Sequence, residues 1–131
     1  MRIRFQEIAI EKMEDYQLNE IIVTSEIYNK ICDLLKKETP YLTKQDWDAL
    51  DEVVNNAYPK FKTNLRIMYD NMSEQDYKIC MLVKCKFGSK NIGKLTFKDI
   101  TTISSSRKRL YEKIFCEKGS ASDFDRFIYS L

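Results

Sequence analysis

Between Met72 and Phe115 the chain reads as a short helix, a tight turn, a second helix and a long basic helix, an order that admits few folds. Ser73-Glu74-Gln75-Asp76 has the form of a capping box, in which a hydroxyl and an acid satisfy the free amides of a helix start. It opens an apolar face of Tyr77, Ile79, Cys80, Leu82 and Val83. After Phe87-Gly88-Ser89 comes a short helix, Lys90 to Leu95, then a turn of Thr96-Phe97-Lys98 with Asp99 as candidate N-cap. From Ile100 a last long helix follows, with Ile100, Ile103, Leu110 and Ile114 recurring on one side.

Upstream the chain is punctuated the same way. Phe5, Ile8, Ala9, Met13 and Tyr16 have helical spacing. Thr24 or Ser25 caps a helix carrying Ile27, Tyr28, Ile31, Leu34 and Leu35, which Pro40 ends. Thr43-Lys44-Gln45-Asp46 is a second capping box ahead of Trp47, Leu50, Val54 and Ala57, and after Pro59 the stripe Phe61, Leu65, Met68 and Met72 suits a separate helix. These stripes predict core. Only three glycines and two prolines occur in 131 residues, 44% of them hydrophobic, so a few long helices around a compact core are expected rather than many short strands. The predicted class is all-α, with an acidic helical region over 1–71 supplying dimer or sensor contacts and packed on a C-terminal region over 72–131.

Charge separates those regions. Lys78 to Lys113 holds ten basic residues against Asp99 and Glu112, a net +8 within a chain of net +2, leaving −6 for the rest. Such an asymmetry points one end at a polyanion. With no histidine, glycine-rich phosphate loop or paired-carboxylate motif, an enzyme is not expected, nor is a cofactor. Cys32, Cys80, Cys85 and Cys116 lack the spacing of a metal site, and Cys80 reads as a small core residue suited to a reducing cytoplasm. No apolar run is long enough to span a bilayer, and Met1-Arg2-Ile3-Arg4 leads into Gln6, Glu7 and Glu11 rather than a signal-peptide core. A soluble cytoplasmic chain making no membrane contact of its own is expected.

The face of the last helix opposite its apolar side collects Thr101, Ser105, Lys108 and Glu112, flanked by Thr102, Ser104 and Arg109. Small hydroxyls let a helix backbone approach base edges, and longer cations reach phosphates. Serines at 104–106 also lower helix propensity, which an ordinary surface helix has no reason to accept. Arg107 lies on the core side and suits a structural pair with an acid such as Asp76.

Met72 to Cys80, Ile92 to Leu95, and Ile103 followed by Arg107-Lys108-Arg109-Leu110-Tyr111 resemble the LuxR-type helix-turn-helix. More closely, they resemble the C-terminal cytoplasmic region of bacterial transcriptional regulators that carry tetratricopeptide repeats and a membrane helix. The likeness runs from about Ser25, through Ile27-Tyr28 and Leu42 to Trp47, to Gly119-Ser120-Ala121 and Phe124 to Leu131. It implies a four-helix domain whose third helix, about 100–115, is the recognition helix, and binding as a homodimer. Thr101, Thr102, Ser104, Ser105 and Lys108 occupy the matched positions, and with the cations Lys90, Lys94, Lys98 and Arg109 of the basic segment they are the residues expected to bind DNA. The sequence departs from the family at Lys86, usually glycine, Gly88, usually serine, and Gly93, usually alanine. Glycine at 93 is expected to thin the contact between the two helices and to loosen the first by up to about 1 kcal/mol.

Two functions follow as expectations. One is a sequence-specific reader of double-stranded DNA that regulates transcription. The other is an interaction module that keeps the fold and presents its basic face to a protein such as RNA polymerase or a sensor region.

Overall fold

The computed structural model describes residues 15–131, and among these every regular element is a helix. Helix α1 covers 15–23; the stripe of Phe5, Ile8, Ala9 and Met13 lies outside the described residues. Its last member, Tyr16, is exposed, because α1 turns Leu18 and Ile22 inward and Tyr16 sits about 120° round the helix from Ile22. Helices α2 (Glu26–Leu34), α3 (Lys44–Ala57) and α4 (Phe61–Met68) follow, then α5 (Glu74–Lys84), α6 (Ser89–Thr96), α7 (Ile100–Phe115) and α8 (Ala121–Ser130).

Local chemistry sets most boundaries. Ser25 caps α2 by accepting from the Tyr28 amide. That helix stops at Leu34, before Pro40, as the Lys36 and Lys37 amides turn back to Asp33 and Leu34 in tighter i−3 bonds. At α3 the capping box closes: Thr43 accepts from the Asp46 amide and the Asp46 carboxylate accepts from the Thr43 amide. Lys30 reaches the same carboxylate at 2.7 Å and, with the Thr43 amide, holds it below the ordinary aspartate range. Ser73 caps α5, but Asp76 does not return to the cap as a capping box requires; its carboxylate is taken by Arg109 of α7 at 2.7 Å. An unforeseen capping box, Ser120 with Asp123, starts α8.

A single apolar core runs through both regions, from Ile22, Ile27 and Ile31 through Leu50, Val54, Phe61 and Leu65 to Ile79, Ile92, Leu110, Phe124 and Ile128. Its centre is α5, where every residue from Ile79 to Cys85 is buried. Against it lie α3, α6 and α8. Polar ties join α3, α4 and α5: the Tyr77 hydroxyl donates to Asp51, Asn55 donates to that hydroxyl, and Lys62 pairs with Asp51. Lys78 lies over the Trp47 ring, 4.9 Å from its centre.

Lys84 belongs to the basic segment but not to its surface. Its buried ammonium stands 3.8 Å from the centre of the Tyr58 ring and donates to the carbonyls of Ile128 and Tyr129, at the negative end of α8.

Lys86 adopts a left-handed φ of 67° at the C′ position of α5. The Phe87 amide bonds back to Leu82 and the Lys86 amide to Val83, which is a Schellman motif. Glycine is the natural occupant of that position, and its absence here is a local strain. Lys86→Gly is expected to raise unfolding free energy by about 1 kcal/mol, with the denaturation midpoint in urea as the readout.

Burial lowers Lys84 to about 8, from 10.5, while Cys85 beside it is pushed up to about 12 and stays a neutral thiol. Between pH 8 and 10.5 the unfolded chain then binds the proton more strongly than the folded one, so this group adds stability as pH rises through that window and nothing below it. The stability of the natural chain minus that of Lys84→Met should climb from pH 8 to pH 10. A flat difference over that range would show that Lys84 is not desolvated.

Candidate nucleic-acid interface

The α6–turn–α7 unit is built on backbone contact. The amides of Phe97 and Lys98 both donate to the Gly93 carbonyl, and the Thr96 hydroxyl donates to Ile92. A Cβ on Gly93 would collide with the Lys98 carbonyl oxygen. Glycine at 93 therefore does not thin the contact between the two helices, as the sequence suggested. It lets the turn close down onto α6, and the missing methyl is replaced by main chain. Asp99 then caps α7, accepting from the Thr102 amide at 2.7 Å, a bond that holds its carboxyl below the usual aspartate range.

Helix α7 faces the core with Ile103, Arg107 and Leu110. Its outward face carries Thr101, Thr102, Ser105 and Lys108, all exposed, with Ser104 half-buried at the margin. Lys90 and Lys98 are exposed on α6 and the turn, beside the start of α7. Lys94 is half-buried and donates to the Leu35 carbonyl at 3.0 Å, tying α6 to the end of α2.

The two arginines differ from expectation. Arg107 pairs with Asp125 of α8 at 2.7 Å and also donates to Ser89 at 2.6 Å, so it locks α6, α7 and α8 together. Asp76 belongs instead to Arg109, whose guanidinium makes two bonds to that carboxylate, at 2.7 and 3.4 Å. Arg109 is thus a strut between α7 and α5 rather than a free phosphate contact. The two positions are about 200° apart on the helix, so each arginine meets the acid of whichever neighbour lies on its side.

Ile100, placed by periodicity on the core side, is 52% exposed, because α7 begins beyond the edge of the packed layer. Phe97 is 68% exposed and left-handed, with φ 58°, and its ring lies 6.3 Å from that of exposed Tyr41. Helical periodicity cannot find these residues; an aromatic in a turn that favours glycine was the available signal. A cleft of about 350 Å³ between α3, α4 and α5 lies away from this face, and Asp51, Lys62 and Tyr77 in its lining bond to one another.

Among the described residues no cluster of acids and cysteines is arranged to hold a metal ion, and no helix is long and apolar enough to cross a membrane. Comparison with protein-family models, with curated proteins and with solved structures finds no match. The likeness to LuxR-type regulators therefore rests on the residues themselves.

If the turn is set by the Gly93–Lys98 contact, Gly93→Ala must force it open. An expected loss of about 1–3 kcal/mol in unfolding free energy, read from chemical denaturation, follows from the overpacking. An unchanged or more stable Gly93→Ala would mean that the contact does not set the turn.

Proposed function

We propose that the chain is a sequence-specific DNA-binding regulator that reads duplex DNA with α7. The observation that carries this reading is the outward face of α7, where small hydroxyls at Thr101, Thr102, Ser104 and Ser105 adjoin Lys108, Lys90 and Lys98. The structural cations of the same segment, Lys84, Arg107 and Arg109, are held by carbonyls or carboxylates. In this reading α7 enters the major groove, its hydroxyls reach base edges, and Lys90, Lys98 and Lys108 neutralise phosphates, while Lys94 stays tied to the end of α2. A homodimer on two half-sites, as the resemblance implies, would place them about 34 Å apart.

The pairing of Arg109 with Asp76 favours a second reading, in which the same face docks on a protein, RNA polymerase or a sensor region, because it removes a cation from the DNA side. Selection of bound duplexes from a random pool at moderate salt separates the two. The natural chain should enrich a motif, and a Thr101→Ala, Ser105→Ala, Lys108→Ala variant should lose it. Lys108→Gln alone should weaken binding about equally on all sequences and lower the salt slope by about 1. No enrichment, or salt-sensitive binding that the triple variant leaves intact, would favour the protein-docking reading.

A further inference from the structure

We infer that the exposed apolar edge formed by Ile100 and Phe97 contacts the C5 methyl of thymine, so that the site read by α7 contains thymine at a position set by these two side chains. The inference rests on the DNA-reading proposal and adds a base to it.

Three observations lead there. Buried apolar residues of α7, Ile103 and Leu110, are fully enclosed, whereas Ile100 is 52% exposed and contributes little to the core. Phe97 holds a left-handed φ of 58°, a conformation unfavourable for a bulky residue, yet its ring is 68% exposed and stands beside that of Tyr41, itself 64% exposed. Single exposed apolar side chains are ordinary, but three gathered at one corner form a patch that expects a partner.

The charge around the patch selects the class of partner. Phe97 and Ile100 line an open groove of about 670 Å³ together with Lys90, Lys94 and Lys98. Glu38 and Asp99 are its acids, and Asp99 is occupied as the cap of α7. Two exposed lysines, Lys90 and Lys98, beside an apolar spot, with Lys94 held behind them at the Leu35 carbonyl, suit a polyanion with one apolar feature within reach. In the major groove of DNA the only such feature on a base edge is the thymine methyl. Thr101, the next residue on α7, lines the same groove and keeps a hydrogen-bonding group beside the apolar contact.

The test replaces each thymine of the enriched duplex in turn by deoxyuracil, which pairs identically and lacks only the methyl. Kd for the natural chain is expected to rise about fourfold at one thymine position per half-site, the value of one buried methyl. Ile100→Ala should bind the thymine duplex more weakly and lose most of that discrimination, and Phe97→Ala should do the same in part. Ile100 and Phe97 are exposed, so both variants should keep the helical circular dichroism and cooperative melting of the natural chain. Equal binding to thymine and uracil duplexes would overturn the inference while leaving DNA reading intact. So would discrimination that persists unchanged in both variants, or an enriched motif without thymine. Failure to enrich any motif would overturn the DNA reading itself, and this inference with it.

Discussion

Ile79 to Cys85 are buried without interruption, and a stretch of helix so covered turns the one lysine within it, Lys84, into a problem that other helices have to solve. An ammonium removed from water is tolerated only where donors find acceptors and the charge meets a negative field. Tyr58 at the end of α3 supplies a ring face, and α8 supplies two carbonyls at its negative end. The arrangement of α3 and α8 about α5 is therefore tied to Lys84 as well as to the apolar residues around it. Tyr77 does comparable work two turns earlier on nearly the same side of the helix, through Asp51 and Asn55.

From that centre, charge is divided between architecture and surface. Asp125 and the buried Asp76 take the two arginines of α7, whose planar forks suit such pairing. What α7 leaves outward beside its hydroxyls is Lys108, a compact charge on a flexible stem. Pairing of this kind fixes the rotation of α7 about its own axis, since one arginine is tied to α5 and the other to α6 and α8. The hydroxyl face is then presented in one orientation, which contact with base edges requires.

Much of this was legible in the sequence where the cause is local. Ser25, Thr43, Ser73 and Asp99 act as caps, and the stripes from Ile27 to Leu65 enter the core, because capping and periodicity involve neighbours within a turn. What escaped reading depends on contacts distant in sequence. Arg107 suited a pair with Asp76, yet that acid meets Arg109, a choice made by which helix lies on which side of α7. Ile100 fitted the apolar repeat, but the packed layer ends before it. Lys84 and Lys94 were counted with the surface lysines; one is buried at the end of α8 and the other bonds to the end of α2. Glycine at 93 was read as a loss until the Lys98 carbonyl filled its place.

The Lys84 clamp also bears on where a working fragment of this chain can be cut. A piece ending before Ala121 would keep every residue of the α6–turn–α7 unit and every outward hydroxyl. It would still lose Phe124 and Ile128 from the core, the acid that neutralises Arg107, and the carbonyls over the Lys84 ammonium. Lys84 would keep only the Tyr58 ring and Arg107 only the Ser89 hydroxyl of the partners described above, and deletion mapping would then score a folding defect as a loss of recognition. Any self-supporting piece has to include α8, ten residues that carry none of the groups assigned to reading DNA.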